Sequence, residues 1–181
     1  MGRARSAIAV RASVDALKAA AVKAFGMKVT DDASVTDFDD AIDFCRPRSE
    51  ELGADEGLEA WYFWTQGEWA IVGDLSLGLI RDDEALEKLS AEVGDIVACG
   101  IDAGFEFASF SAYSGGQLKR LLVLEDDEII EEGFPVEAER GSFIEDFNEE
   151  EAERLWTSYG LPTFDYDPLE GPFQCLGMSR G

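Results

Sequence analysis

The chain has no histidine among its 181 residues. Histidine is the side chain that most often transfers protons near neutral pH, and it is a frequent zinc ligand. Its absence excludes nucleophile pairs of the Ser-His and Cys-His type. Cysteine is scarce too: Cys45, Cys99 and Cys175 stand far apart without CxxC spacing. That pattern predicts buried free thiols in a reducing cytoplasm.

Other signatures of chemistry or targeting are missing as well. The segment GDLSLG has neither the GxGxxG spacing nor the GKS or GKT ending of a phosphate loop, and no GxSxG elbow occurs. The apolar run AIAV near the start is too short for a signal peptide and is followed by Arg11. No window approaches the roughly 18 apolar residues of a membrane span. We therefore expect a cytoplasmic protein without a cofactor and without membrane association.

Basic residues are few and unevenly placed. Fifteen Lys and Arg face thirty-nine Asp and Glu, which gives a formal net charge of -24. Residues 1–30 carry six basic and one acidic residue, whereas residues 124–170 carry seventeen acidic and two basic ones. Such a balance opposes direct binding to nucleic acid and favours a cationic partner, although acidic side chains also simply keep a protein dissolved. The basic start is expected to lie against acidic parts of its own chain.

The segment from Leu58 to Asp74, LEAWYFWTQGEWAIVGD, is what the chain is organised around. Three of the four tryptophans fall in it, and two aromatic and β-branched runs are separated by Thr65, Gln66, Gly67 and Glu68. Large rings pack well on a half-buried pleated surface, so the pattern predicts a hairpin of two central strands.

Periodic apolar residues elsewhere predict helices and further strands. Helices are expected near 14–25, 36–45, 83–93 and 148–159, and strands at 6–11, 95–101, 105–113 and 118–124. The expected N-terminal caps of the four helices are Ser13, Thr36, Asp82 and Asn148. The carboxylates of 37–43 lack the spacing of a calcium loop and suit an acidic helix start, so no metal site is predicted. These elements indicate an α+β fold with a mostly antiparallel central sheet flanked by helices. We expect a single α+β domain, 1–181, in which 161–181 is a proline-containing surface tail held by Phe164, Tyr166 and Phe173.

The acidic stretch after Glu125 carries the candidate binding residues. Ile129, Ile130, Phe134 and other apolar residues recur between its carboxylates, which argues against a disordered tail. Carboxylates that steer and rings that anchor are the usual ingredients for recognising a basic protein. The predicted contact residues are Asp126, Asp127, Glu131, Glu132, Phe134, Glu145 and Asp146.

Three functions stay open on this basis. The favoured one is a non-enzymatic acidic protein that occludes a basic partner. A nucleic-acid mimic would instead place its carboxylates like phosphates and block a DNA- or RNA-binding protein. A hydrolase would use paired acids such as Asp126 and Asp127, but adjacent acids are expected by chance at this composition.

Several segments together resemble a protein family. They are WAIVGD, EALEKLS, IVACGID and FEFASFSAYSGGQLKRLL with the following EEGFPVE, which span about residues 58–137. In this layout the chain is similar to small cytoplasmic bacterial immunity-type proteins, which neutralise toxins of interbacterial competition. The resemblance implies that the basic partner is a toxin or effector domain, and it carries over no site residue.

Overall fold

The computed structural model describes residues 4–164 and 169–180. In this part of the chain nine strands form one sheet. The strands are β1 Ala4–Val10, β2 Met27–Val35, β3 Leu58–Gln66, β4 Trp69–Asp74, β5 Ile96–Asp102, β6 Phe107–Ser114, β7 Gln117–Glu125, β8 Glu128–Gly133 and β9 Phe173–Arg180. Their order is β2-β9-β3-β4-β1-β5-β6-β7-β8, and every neighbouring pair is antiparallel. The predicted antiparallel sheet is therefore confirmed, in a fold that is α+β and dominated by its sheet.

Within the described residues, four helices cover the two faces of the sheet. They are α1 Val14–Ala24, α2 Phe38–Cys45, α3 Asp83–Val93 and α4 Glu149–Thr157. Buried residues of α1 and α3 pack on one face, and those of α2 and α4 pack on the other. Short 3-10 turns occur at Arg46–Arg48, Glu50–Leu52, Gly78–Ile80, Glu137–Glu139 and Ile144–Asp146.

Strand alternation explains the aromatic run of β3. Successive side chains in a strand point to opposite faces, so Trp61 and Phe63 join the core under α1 and α3. Tyr62 and Trp64 join the core under α2 and α4. A strand buried on both faces reads as a continuous apolar run, which is what the sequence shows here. The predicted hairpin of β3 and β4 is confirmed.

Local signals place three of the four helix starts correctly. Ser13, Asp82 and Asn148 each accept a hydrogen bond from a backbone N–H in the first turn of α1, α3 and α4 respectively. The predicted cap of α2 is wrong, since its N-cap is Asp37 rather than Thr36, and Asp37 makes no side-chain capping bond. All three cysteines are buried and free, as predicted.

The predicted surface tail at 161–181 is wrong. Residues 173–180 form β9, which pairs with β2 on one side and β3 on the other. Phe173, Cys175 and Met178 are buried. Prolines before residue 173 suggested an extended tail, but a strand that begins after the last proline keeps all its N–H donors and can sit inside a sheet. Of the residues expected to hold the tail, Phe164 is half-buried against Trp156, and Tyr166 lies outside the described residues.

No helix in the ranges 4–164 and 169–180 is both long enough and apolar enough to cross a membrane. In the same ranges, no group of three or more Cys, Asp or Glu side chains is arranged to hold a metal ion.

Replacing Phe173 by Ala tests the place of β9. The ring is fully buried, so we expect its loss to lower the free energy of unfolding by about 3 to 5 kcal/mol in urea denaturation. Phe105, which is 82% exposed, is the matched control, and Phe105→Ala should change stability by less than about 0.5 kcal/mol. Equal, small effects for both variants would restore the surface tail.

Candidate partner-binding surface

Five of the seven predicted contact residues lie on the hairpin of β7 and β8 or just beyond it. Asp126 and Asp127 form its two-residue turn, with φ of 53° and 62°. Positive φ at both central residues is the hallmark of the type I′ turn, and aspartate is among the few residues that adopt it readily. The two aspartates therefore have a structural role in the turn, while both remain exposed.

β8 is an edge strand of the sheet, and its residues are mostly exposed. Glu131 pairs with Leu122 on the face covered by α2 and α4, and Glu132 pairs with Leu121 on the opposite face. We call residues 126–134 the acidic edge. Its carboxylates project to both sides of the sheet because alternate side chains of a strand point opposite ways.

Arg120 of β7 holds the acidic edge in place from below. It is only 2% exposed, and its Nη2 donates to Glu131 at 2.9 Å and to Glu139 at 2.6 Å. Nη1 donates to the carbonyl of Gly133 at 3.2 Å. The carboxylate of Glu139 also accepts the N–H of Val136 at 2.7 Å. One buried guanidinium thus ties β8 to the segment that follows it.

Burial and pairing act on Arg120 in opposite directions. Burial lowers the pKa of this guanidinium, but its hydrogen bonds to Glu139 and Glu131 outweigh burial, and the net pKa is raised. Arg120 neutralises part of the acid on this side of the sheet. Among the described residues, four carboxylates of the acidic edge form no ion pair; they are Asp126, Asp127, Glu128 and Glu132.

Large apolar side chains stand beside these carboxylates. Phe134 is 88% exposed and Ile130 is 49% exposed. Gly133 creates the bend before Phe134: its φ is +81°, and a Cβ there would lie 2.0 Å from the carbonyl oxygen of Lys119. Only glycine fits both conditions. The ring of Phe134 is therefore presented to solvent by a backbone that has little freedom to move away.

Glu145 and Asp146 belong to a different part of the surface. They are exposed on the turn Ile144–Asp146, which is anchored by the buried Phe147. Arg154 of α4 fastens the preceding segment, since its Nη2 donates to the carbonyl of Ala138 and to Ser142 Oγ, both at 2.8 Å. The structure therefore groups Asp126, Asp127, Glu131, Glu132 and Phe134, and leaves these two carboxylates on a separate turn.

Comparison with known proteins adds nothing to this geometry. No protein-family model, no curated protein and no solved structure matches the chain. The resemblance to immunity-type proteins therefore stays a prediction.

The structure also forms a carboxylate-lined cleft that the sequence did not reveal. It has a volume of about 460 Å³ and lies where β3 begins and where β4 and β9 end. Glu59, Asp74 and Arg180 come from these three strands, and Arg180 Nε donates to Glu59 at 2.9 Å. One signal could have pointed to it: Asp74 ends the wholly buried strand WAIVGD, where a carboxylate is unusual.

Asp74 is the buried acid of this cleft, only 3% exposed. Ser76 donates to it twice, from Oγ at 2.7 Å and from its backbone N–H at 3.1 Å. Burial raises the pKa of Asp74 from 3.8 to about 7, the hydrogen bonds from Ser76 oppose this rise, and the charge of Glu59 adds to it. At neutral pH Asp74 is therefore divided between its protonated and ionised forms.

The Arg120 contacts generate a stability prediction. Glu139 is 10% exposed at its side chain and Glu131 is 51% exposed. We expect Glu139→Gln to lower the free energy of unfolding by up to about 3 to 5 kcal/mol, because it leaves a buried guanidinium poorly paired. Glu131→Gln, the control, should cost less than about 1 kcal/mol. Urea denaturation measures both, and a larger loss for Glu131→Gln would contradict the assigned roles.

Asp74 generates a pH prediction. Between about pH 4 and pH 7 the folded state binds more protons at Asp74 than the unfolded state does. The stabilisation is full below the unfolded pKa and is lost as pH rises through the folded pKa. The wild type therefore loses stability as pH rises, whereas Asp74→Asn has no proton to lose at this position. The free energy of unfolding of Asp74→Asn minus that of the wild type should rise by up to about 1.4 kcal/mol for each pH unit in this window.

Urea denaturation at several pH values measures this difference, in which the other carboxylates of the chain cancel. Asp43→Asn, at an exposed position of α2, is the control for the loss of one carboxylate. A difference between Asp74→Asn and wild type that does not change with pH would show that the Asp74 carboxyl is hydrated in the folded state.

Proposed function

We propose that this chain is a non-enzymatic, cytoplasmic binding protein that occludes a basic protein partner with its acidic edge. The observation that carries the proposal is the joint presence, on one exposed hairpin, of unpaired carboxylates and an 88% exposed phenylalanine. Neutralisation of a toxin or effector domain, as by immunity-type proteins, is the biological role that fits such a surface.

In this proposal charge determines how fast the partner is encountered, and apolar area determines how tightly it is bound. A net charge of -24 attracts a cationic protein over a distance of about a Debye length and raises the rate of encounter. Desolvated rings contribute most of the affinity once contact is made. Phe134 and Ile130 supply apolar area, and Asp126, Asp127, Glu128 and Glu132 surround it.

The surface is also held in one geometry before binding. The type I′ turn, the bend at Gly133 and the buried Arg120 each fix a different part of the acidic edge. Ordering a flexible segment on binding costs free energy, so a hairpin fixed in advance binds more tightly than a mobile acidic tail of the same composition.

Carboxylate-dependent hydrolysis is a second candidate function, and the cleft beside Asp74 favours it. A volume of about 460 Å³ lies in the range of small-molecule sites. A Cβ on Gly78 would lie 3.2 Å from Asp74 and 3.7 Å from Glu59, so both carboxyl groups border one space. Hydrolases use two carboxyl groups in different protonation states. Turnover of a substrate that Asp74→Asn abolishes would favour this function over binding.

Neutralising the acidic edge tests the binding proposal. Asp126→Asn and Asp127→Asn keep a residue that accepts positive φ, and Glu128→Gln and Glu132→Gln complete a fourfold variant. Against a basic protein retained by the immobilised wild-type chain, we expect this variant to bind at least about tenfold more weakly, as measured by calorimetry.

The matched control removes the same number of negative charges at a different place, the surface of α2 and its N-cap. Its substitutions are Asp37→Asn, Asp39→Asn, Asp40→Asn and Asp43→Asn. It should bind like the wild type apart from a weaker salt dependence. An equal loss in both variants would mean that total charge, and not the hairpin, determines binding. Displacement of the partner by an oligonucleotide would point to a nucleic-acid mimic instead.

A further inference from the structure

The outer side of β8 is an open edge with a defined pattern of backbone groups. Within the described residues, β8 has one neighbouring strand, β7. A two-residue turn makes Glu125 and Glu128 a hydrogen-bonded pair, and Phe134 donates its N–H to Lys119 O at 3.2 Å. Both observations indicate the same alternation of backbone groups along β8: the N–H and C=O groups of its even-numbered residues form hydrogen bonds with β7. The N–H and C=O groups of Ile129 and Glu131 point away from the sheet.

The side chains of β8 divide between the two faces in a fixed order. Ile129 and Glu131 lie on the face covered by α2 and α4. Glu128, Ile130 and Glu132 lie on the other face, as Ile130 pairs with Val123 of the second core. An added strand would place its own side chains directly opposite these.

Charge determines what can occupy this edge. In an antiparallel pairing of two copies centred on Ile130, Glu128 of one copy would stand opposite Glu132 of the other, and like charges in that position repel. A strand with Lys or Arg at those places would be attracted. The opposite edge of the sheet, β2, is interrupted by a bulge between Val29 and Asp31, a device that blunts edges. β8 is the regular edge.

We propose that the basic partner binds by adding an extended segment to β8 as a tenth strand. The inference rests on the proposed function and specifies how the partner is recognised. Main-chain hydrogen bonds to Ile129 and Glu131 supply affinity, and side-chain pairs supply specificity. For antiparallel addition the segment reads basic, basic, apolar, apolar, basic, opposite Glu132, Glu131, Ile130, Ile129 and Glu128.

Peptide binding tests this proposal. Fluorescein-labelled peptides are titrated with the full chain at low salt, and fluorescence anisotropy measures their binding. The core KKVVK has the required order, and VKKKV has the same composition but places valine opposite Glu128 and Glu132. Two further KKVVK peptides are N-methylated at alternate backbone positions, the first at odd-numbered and the second at even-numbered residues. Alternate N–H groups of a strand point to opposite sides, so only one of these peptides loses the N–H groups that face β8. We expect KKVVK to bind at least about tenfold more tightly than VKKKV, and only one of the two methylated peptides to lose binding.

Amide hydrogen exchange supplies a direct readout. On addition of KKVVK, the exchange of the amides of Ile129 and Glu131 should slow at least about tenfold, whereas the amide of Ile130, already bonded to β7, should change little. Equal binding by all four peptides, or no protection at these amides, would overturn strand addition and leave binding of cations by the acidic edge intact. Failure of every peptide to bind would overturn both proposals.

Discussion

The pairing of β1 between β4 and β5 is the constraint on which the rest of the structure depends. This central strand joins the half of the sheet whose edge strand is β2 to the half whose edge strand is β8. It is buried on both faces. Small residues at its centre leave room for the rings of β3: Ala7 stands opposite Gly73, where a Cβ would lie 2.4 Å from the ring of Tyr62. Tight packing on one face thus determines which residues the neighbouring strands can carry.

Part of the large negative charge has a local structural explanation. Each of the four helices carries acid in its first turn, where the helix dipole favours it. In the basic start of the chain, Arg11 lies over the ring of Trp69 at 4.7 Å and Arg5 over that of Phe38 at 5.5 Å, and these cation–π contacts are attractive. The carboxylates of the acidic edge serve no helix.

An exposed edge strand that carries isoleucine is a risk to any protein, because unpaired backbone groups recruit other strands. Here the glutamates of β8 reduce that risk, since they repel a second copy. The same side chains leave the edge open to a cationic segment. Protection from aggregation and choice of partner are therefore two consequences of one charge pattern, and the buried Arg120 keeps that pattern in register.

Short-range signals in the sequence determined the local elements. Ser13, Asp82 and Asn148 define helix starts, the aromatic run defines the hairpin of β3 and β4, and Asp126 to Phe134 stay together because they are neighbours in one hairpin. Only the tertiary structure decided that β9 enters the sheet between β2 and β3, that β1 is its centre and that β8 is its edge. It also decided that Arg120 and Asp74 are buried, and that Glu145 and Asp146 lie apart from the hairpin. The reason is physical: pairing between strands far apart in the chain is determined by how both faces of the sheet are covered, and no local propensity encodes that choice.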